Sequence, residues 1–461
     1  MRTLKVFGIL LWAAALLVPL RGNAAPPPTE YIILYRDGTL ALLTDRPDRT
    51  PHAVSPHTAQ ALLKAKPYLV PQGDFSSRLE AARADPDVRY LEPNFPVELL
   101  EVPNDEYYPM FQSKIMESLD LPGAWHHTTG NADVIVAVMD TGMQGSHPDL
   151  GPNLWVNPGE IPANGVDDDR NGYVDDVNGY NTFDDNGNAS DDLFGHGTSV
   201  AGIIGAVGNN GFGVAGMNWT VRMISVRMWG SDPRAPSDRY NVMKAYQYVL
   251  ALKRHGVNIR VVNASFGTSE GGPGGMEEHF VRDLEAENVL LVAASGNDGR
   301  NTDATPVYPA CFSADNVVSV GGVDPQTWTR CSFSNYGART VDLFAPGNGV
   351  LTTGREFNFR VFLGTSSAAP FVTGLGALLW AASPDASMAQ VRDALLKGVT
   401  LSDAFAGKCV SGGILNARGS MEQLLSPPAP QRSSSGGGCQ GFEASGALLL
   451  GALPLLWRRK R

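Results

Sequence analysis

The sequence is poor in cysteine, in basic residues and in long apolar runs. Four cysteines in 461 residues are too few for a fold that depends on a disulfide framework. Lysine and arginine number 36 against 47 acidic residues, which gives a net charge of −11. This argues against a nucleic-acid binder, because such proteins usually carry a basic patch. Hydrophobic residues make up 43% of the chain, a content typical of globular proteins and not of disordered ones.

What the chain has in excess is glycine and proline, with 51 and 32 residues. Both residue types concentrate in tight turns and loops, so their number disfavours a helical bundle. The length allows one large domain with appendages, or two or three domains.

The first 24 residues have the composition of a secretory signal peptide. Arg2 and Lys5 form a basic start, Val6 to Leu20 is uncharged and almost wholly apolar, and Gly22-Asn23-Ala24 offers small residues for cleavage after Ala24. The run is shorter than the about 20 residues that a membrane span needs, which disfavours an N-terminal anchor. We therefore expect residues 1–24 to be removed and the protein to be secreted or displayed at the cell surface.

The last residues form a linker and a tail. Residues 425–438 are rich in proline, serine and glycine, a composition that does not pack. Residues 439–461 contain Cys439, the apolar run from Ala444 to Trp457 and four basic residues at the end. This arrangement resembles bacterial C-terminal sorting tails, which implies a membrane protease as a processing partner. An ordinary membrane anchor is the alternative, and both place the main body outside the cytoplasm.

Residues 25–102 predict a small α+β unit of the βαβ type. Tyr31–Tyr35 and Val88–Leu91 are strand-like, and residues 59–66 and 75–84 have helical patterns. The exposed junction that follows, around Pro103, separates this unit from the larger part of the chain.

From residue 132 onward, short apolar runs alternate with helical stretches. Continuous apolar runs are typical of strands that are buried on both faces, and their alternation with helices predicts an α/β domain with a mostly parallel central sheet and helices on both faces. In such sheets chemistry collects at the carboxyl ends of the strands. The predicted strands are Val134–Met139, Val221–Val226, Val261–Ala264, Val289–Ala294, Val317–Val320 and Val341–Phe344.

Three motifs carry candidate catalytic side chains. Asp140 follows the first predicted strand, His196 lies in the small-residue segment Gly195–Gly202, and Ser366 lies in Gly364–Pro370, where another helix begins. Taken singly, each has an ordinary explanation: a turn-capping Asp, a structural His, and a helix-capping Ser. Taken together, the order Asp, His, Ser is that of subtilisin.

The chain resembles the subtilisin-like serine endopeptidases, or subtilases, from about Pro103 to Gln423. Two further segments carry the resemblance: Ala293–Gly299, with Asn297 as the expected oxyanion donor, and Asn263–Gly267, the expected substrate-binding strand. The resemblance implies cleavage of protein or peptide substrates. It assigns substrate contacts to Ser265, Phe266 and Gly267.

The resemblance also implies roles for the three catalytic candidates and for the unit before them. Ser366 would attack the peptide carbonyl, His196 would act as general base, and Asp140 would orient the histidine. Residues 25–102 resemble the inhibitor-type subtilase propeptide, removed by a cut between about Pro96 and Asn104, and residues 103–424 the catalytic domain. The apolar preference expected before the cut bond rests on the family alone. Ser367 and Ser199 stand where Met and His are common, and neither change removes a catalytic group.

An acidic segment precedes the candidate histidine, with ten acidic residues and one base between Glu160 and Asp192. Its core matches the first half of an EF-hand-type calcium loop, but the Glu at the twelfth position is absent, because Asn178 stands there. We expect a structural Ca²⁺ loop without an EF-hand; a solvated acidic loop is the alternative. The expected ligands are Asp167, Asp169, Asn171, Asp176 and the carbonyl of Tyr173.

Other functions remain open at this stage. The chain could be a catalytically silent, calcium-binding surface protein on a protease scaffold. An α/β-hydrolase esterase is disfavoured, because no G-x-S-x-G motif accompanies Ser366 and the residue order differs. An extracellular location would allow a disulfide between Cys311 and Cys331, with Cys409 left over.

Overall fold

The computed structural model describes residues 30–45, 56–94, 102–190, 194–230 and 237–426. They fall into two compact units, one before and one after Leu99. The predicted signal peptide, nearly all of the predicted linker, the tail with Cys439, and the segment from Pro96 to Glu101 that precedes the junction lie outside the described residues. Within the described ranges, no helix is both long enough and apolar enough to cross a membrane.

The N-terminal unit is a three-stranded antiparallel sheet with two helices. The strands lie in the order β2-β1-β3, around a small core that includes Ile33, Leu43 and Leu69. The elements are β1 (Glu30–Tyr35), β2 (Leu40–Thr44), α1 (Pro56–Ala65), α2 (Phe75–Ala84) and β3 (Val88–Pro93).

The prediction of a simple βαβ unit is therefore wrong in its strand pairing. The turn at Asp37-Gly38 closes a hairpin, in which the Gly38 amide donates to Tyr35 O at 3.0 Å. Leu40–Thr44 consequently returns as a third strand and pairs with one side of β1, and β3 pairs antiparallel with the other side.

The second unit is built around a ten-stranded sheet. Its first half contains α3 (Ser113–Ser118), α4 (Leu121–Trp125), β4 (Gly130–Asp140), β5 (Gly179–Asn181), α5 (His196–Gly205), β6 (Thr220–Arg227), α6 (Arg239–Arg254) and β7 (Ile259–Ala264).

The second half continues the sheet and adds the longest helix of the described residues, Thr365–Ala382. Its elements are α7 (Met276–Ala286), β8 (Leu290–Ala294), β9 (Val317–Asp324), β10 (Thr329–Arg330), β11 (Leu343–Pro346), β12 (Val350–Thr353), β13 (Phe359–Phe362), α8 (Thr365–Ala382), α9 (Met388–Lys397), β14 (Thr400–Leu401), β15 (Gly413–Ile414) and α10 (Ala417–Leu425).

The sheet order is β14-β15-β11-β9-β8-β7-β4-β6-β5, with β10 paired to β9. The pairs from β15 to β5 are parallel, and β14 and β10 are antiparallel additions. Strand β12 forms a separate hairpin with β13. The predicted mostly parallel α/β domain is confirmed.

Both faces of the sheet are covered, which explains the continuous apolar runs. Along β4, Val136 and Val138 pack into one core with α5 and α8, whereas Ala137 and Met139 pack into another with α6 and α7. From Val134 to Asp140 every residue of β4 is buried, so an alternating pattern is lost.

Strand β4 is the topological switch point of the sheet. The chain leaves β4 to build β5 and β6 on one side, and then continues with β7, β8 and β9 on the other. Ligands of open α/β sheets bind in the crevice beyond the carboxyl ends of the strands at such a point. Asp140 is the last residue of β4, so it lies at that crevice.

Candidate active site

A short hydrogen bond joins the predicted Asp and His. His196 Nδ1 lies 2.7 Å from Asp140 Oδ1, which also accepts the Thr141 amide at 2.8 Å. The Asp140 side chain is 3% exposed and that of His196 is 32% exposed. A buried carboxylate needs such partners.

Helix α5 can bring His196 to Asp140 because Gly197 follows the histidine. A Cβ at Gly197 would lie 2.1 Å from Gly142 O and 3.1 Å from the Asp140 Cβ, distances that a side chain cannot occupy. The Gly197 amide donates to Thr141 Oγ1 at 3.0 Å. The glycine after the histidine is therefore a requirement of close helix–strand packing.

Ser366 is the second residue of α8 and is joined to Ser265, just beyond the carboxyl end of β7. The Ser366 hydroxyl donates to Ser265 O at 3.0 Å, and the Ser265 hydroxyl donates to Ser366 O at 3.2 Å. The second bond is possible because Pro370 has no N–H, so it cannot donate to the carbonyl four residues earlier, that of Ser366. Proline inside the helix thus frees a carbonyl that Ser265 uses.

The Ser265 hydroxyl is itself held by buried polar side chains. Asn263 Nδ2 donates to Ser265 Oγ at 2.9 Å, and the Thr373 hydroxyl donates to Asn263 Oδ1 at 2.8 Å. Asn263 and Thr373 are fully buried. This chain of hydrogen bonds fixes α8 and Ser366 against the strand that neighbours β4.

The predicted oxyanion donor Asn297 is oriented by Thr365. Asn297 Oδ1 accepts the Thr365 amide at 2.8 Å and the Thr365 hydroxyl at 3.0 Å. With its oxygen engaged in this way, the amide group has its Nδ2 hydrogens available as donors. Thr365 also accepts the Gly296 amide at 3.2 Å, which ties the Asn297 segment to the start of α8.

These residues border a cleft of about 390 Å³. Ser366, Asn297 and the predicted substrate segment Ser265–Gly267 all line it. The structure therefore brings the predicted serine, amide donor and substrate segment together at one edge of the sheet. The cleft is also lined by four further residues of the predicted motifs, Ala294, Gly296, Asp298 and Thr365. Residues outside the motifs line it as well, namely Thr268, Ser269, Arg300 and Val307.

Comparisons with known proteins agree with this arrangement. Residues 131–417 match the subtilase family, peptidase S8. The chain belongs to the subtilase family. It is therefore a serine endopeptidase of the subtilisin-like type.

Relatives differ in how much of their length the match covers. The thermophilic serine proteinase of Bacillus sp. (strain AK1) is 32% identical over 333 residues, which are 72% of this chain and 73% of that protein. The halolysin-like extracellular serine protease Nep of Natrialba magadii is 32% identical over 67% of this chain and 51% of its own length. Subtilisin-like protease 2 of Plasmodium falciparum (isolate 3D7) is 31% identical over 54% of this chain but only 17% of its own length.

A solved structure of the prenylagaramide maturation protease PagA also resembles this subtilase. It superposes with a TM-score of 0.50 and 25% sequence identity, covering 66% of this chain and 98% of that one.

The acidic loop of this subtilase gathers three carboxylates. Oxygens of Glu160, Asp169 and Asp176 lie within 4.8 Å of one another. Asp176 is fully buried, and burial raises its pKa to about 6. Three clustered carboxylates, two of them buried, repel one another unless a cation neutralises them, so the donor set fits Ca²⁺.

The predicted ligands divide into two groups in this loop. Asp169 and Asp176 belong to the cluster, and Asn171 Nδ2 donates to both, at 3.2 and 3.1 Å. Asp167 lies outside it, with its oxygens accepting the amides of Asn171 and Gly172 at 3.1 and 2.9 Å. The ring of Tyr173 packs edge-on against two tyrosines, Tyr180 and Tyr248.

Glu160 is a member of the cluster that the loop motif did not predict. It lies seven residues before the first motif position, and its oxygens accept the amides of Asp168, Asp169 and Asp175 at 2.8 to 3.2 Å. A loop motif identifies only ligands at fixed sequence positions. A ligand from outside the motif is therefore indicated only by the acidic composition of the segment.

A second pair of carboxylates, also missed by the sequence motifs, holds the start of the catalytic unit. Asp105 Oδ2 accepts the Asn209 amide at 2.6 Å, and its Oδ1 is buried without a hydrogen-bond partner among the described residues. Asp149 accepts the amide of Val214 and the side chain of Asn210, and burial raises its pKa to about 7. The loop that contains Asn209, Asn210 and Val214 thus donates hydrogen bonds to both carboxylates. Through Asp105 it holds the chain that begins near Asn104.

The three cysteines of the catalytic unit are free thiols in the structure. The disulfide that an extracellular location would allow between Cys311 and Cys331 is therefore not formed. Burial raises the pKa of Cys331 to about 11, which keeps that thiol protonated. The thiol of Cys311 accepts the Val307 amide at 3.3 Å, so it has a packing role beside the cleft.

Proposed function

We propose that this subtilase is a secreted, autoprocessed serine endopeptidase that cleaves peptide bonds through Asp140, His196 and Ser366 by way of an acyl-enzyme. The observation that carries the proposal is the 2.7 Å bond between His196 and Asp140, at the same edge of the sheet as the cleft that Ser366 lines. Membership of the family indicates the reaction class, and the site contains a candidate residue for each step.

The first step is the attack on the peptide carbonyl. Asp140 holds the proton of His196 on Nδ1, so Nε2 is the ring nitrogen that acts as the base. Nε2 takes the hydroxyl proton of Ser366 while the Ser366 oxygen bonds to the carbonyl carbon. The carbonyl π electrons move to its oxygen, which becomes an oxyanion.

The oxyanion is stabilised by donors that are already in place. Asn297 Nδ2 is available because Thr365 occupies the amide oxygen, and the Ser366 amide at the start of α8 is the second donor. The dipole of that helix adds positive potential at its N-terminus.

The intermediate then collapses and the peptide bond breaks. His196 returns its proton to the leaving amine, which departs with the C-terminal part of the substrate, and the acyl group remains on Ser366. Water repeats the sequence with His196 as base, which releases the acid and restores the serine.

We further propose that residues 25–102 act as an inhibitory propeptide that the enzyme itself removes. The clamp on Asn104 and Asp105 supports a cut before Asn104, because Asn104 Oδ1 also accepts the Gly211 amide at 2.8 Å. Residues from this point onward are thus tied to the catalytic unit. Export by the signal peptide, and removal or membrane retention of the tail, complete the proposal.

A structural Ca²⁺ ion is proposed for the acidic loop. Glu160, Asp169 and Asp176 would supply carboxylate oxygens, with Asn171, Asp167 and the Tyr173 carbonyl as the further ligands expected from the loop pattern. The ion would supply positive charge that lets three carboxylates stay together, and it would take no part in the chemistry.

Ser366→Ala is expected to abolish labelling by a fluorophosphonate probe, because the probe reacts with the activated serine oxygen. The variant should also keep its propeptide attached, as judged by mass spectrometry of the secreted protein. Ser367→Ala, one residue further along α8, is the matched control and should label and mature like the wild type. Equal labelling of the wild type and Ser366→Ala would refute the assignment of the nucleophile.

Asn297→Ala is expected to lower kcat by about 10²–10³, because one oxyanion donor is lost. KM should change little, since the donor acts on charge that develops in the transition state. Steady-state kinetics on one peptide substrate measure both values. Asn301→Ala, on the same loop, is the control. A kcat within about threefold of the wild type would show that Asn297 is not an oxyanion donor.

Removal of Ca²⁺ with a chelator is expected to lower the melting temperature by about 5 °C or more, because bound ion stabilises only the folded state. The measurement uses Ser366→Ala protein so that self-digestion does not intervene. Asp169→Asn should reduce the chelator-induced shift, whereas Asp133→Asn, at an exposed position away from the loop, should leave it unchanged. A chelator response in Asp169→Asn equal to that of the parent would exclude the loop as the site.

A further inference from the structure

Val307 lies between two glycines that border the cleft, Gly267 and Gly296. It takes the place of a missing side chain only at Gly267, because at Gly296 that place is taken by Asn335. A Cβ at Gly267 would lie 2.8 Å from Val307 Cγ1, and a Cβ at Gly296 would lie 3.6 Å from Val307 Cγ2. Val307 itself is 5% exposed and lines the cleft. Its two methyl groups therefore fill the space between the substrate segment and the oxyanion segment and form the floor of the cleft.

This floor is held in place by backbone hydrogen bonds on both sides. The Val307 carbonyl accepts the Cys311 amide at 2.8 Å, and the Val307 amide donates to Cys311 Sγ at 3.3 Å. The next residue, Tyr308, exchanges two hydrogen bonds with Thr268, at 2.8 and 2.9 Å. A large side chain entering the cleft cannot push Val307 aside without breaking these bonds.

The side chain that enters this cleft belongs to the residue on the acyl side of the cut bond. Ser366 and Asn297, which act on the carbonyl in the proposed reaction, line the cleft, whereas His196 does not. The leaving amine takes its proton from His196, so the rest of the substrate lies on the histidine side. The substrate residue whose carbonyl is attacked therefore places its side chain between Gly267 and Gly296.

The charges at the rim do not favour an ionic side chain at this position. The charged residues that line the described cleft are Asp298 and Arg300, and they pair with each other at 2.9 Å. The other residues that line the described cleft are uncharged, and all of them except Phe266 and Asn297 are small or β-branched. Size is thus the property by which this cleft distinguishes substrates.

We infer that Val307 limits the depth of the cleft and makes this enzyme select small residues, such as alanine, over aromatic ones on the acyl side of the cut bond. The inference rests on the proposed function and narrows its substrate class. It replaces the broad apolar preference expected from the family with a restriction imposed by one side chain.

The test compares peptides that are identical except for Ala, Leu or Phe at the acyl-side residue. Wild type should cleave the Ala peptide with a kcat/KM at least about tenfold above that of the Phe peptide, since pockets discriminate by this much for added groups that do not fit. Val307→Ala should raise the Phe/Ala ratio of kcat/KM at least about tenfold, and Val307→Leu should lower it. Val317→Ala, a buried valine outside the cleft, should leave the ratio unchanged.

Fluorophosphonate labelling of every variant separates the possible failures. A wild type that neither labels nor cleaves any peptide would overturn the proposed function. If the wild type labels and cleaves, the proposed function stands. A Phe/Ala ratio of kcat/KM that is the same in the wild type, Val307→Ala and Val307→Leu would then overturn only the inference about Val307. If Val307→Ala fails to label because it does not fold, Val307→Leu alone tests the inference. A Phe/Ala ratio of kcat/KM below that of the wild type would support it, and an unchanged or higher ratio would overturn it.

Discussion

The hydrogen bond between Asp140 and His196 couples the sheet to the helix that carries the histidine, and the rest of the site is arranged around it. Asp140 is buried at the end of the central strand, where an unpaired carboxylate would be costly. The strand can end there in a charged residue because the Thr141 amide and His196 both bond to it. The close approach in turn requires Gly197, whose position leaves no space for a Cβ.

The second constraint is the fixed position of α8 against strand β7. Pro370 removes one helical hydrogen bond, and the freed carbonyl of Ser366 is taken up by Ser265. Asn263 donates a hydrogen bond to the Ser265 hydroxyl and accepts one from Thr373. These bonds fix the start of the helix against the strand. The proposed nucleophile, amide donor and substrate cleft are therefore positioned by hydrogen bonds within the protein, which is the preorganisation that the proposed reaction needs.

The strands of the central sheet and the candidate site residues could be predicted because in each case one short segment contains the whole signal. The predicted strands were recognisable because both faces of the sheet are covered, so each strand is a continuous apolar run. Asp140, His196, Asn297 and Ser366 each lie in a compact motif at the end of a strand or the start of a helix. The structure brings Ser265 and Ser366 together across 101 residues of chain, and that proximity was expected only from the family resemblance.

Features that depend on packing between distant segments were missed. Thr365 orients Asn297 from 68 residues away, and Val307 fills space left by Gly267 in another segment. Glu160 joins the acidic cluster from outside the loop motif. The strand pairing of the N-terminal unit was wrong because the short run Leu40–Thr44 was not recognised as the second strand of a hairpin. The contacts of Thr365, Val307 and Glu160 join residues whose spacing carries no pattern, whereas the hairpin is local and was missed although its turn, Asp37-Gly38, is a turn signal.

The central claim is that Ser366 and His196 act as one catalytic unit, and a double-mutant comparison of kcat tests it most directly. Substitutions of two residues that act together have strongly non-additive effects on kcat, because removing either residue already abolishes their joint action. The account predicts that Ser366→Ala combined with His196→Ala lowers kcat no further than Ser366→Ala alone. Losses that multiply in the double variant would contradict it, since they would mean that the two residues contribute independently.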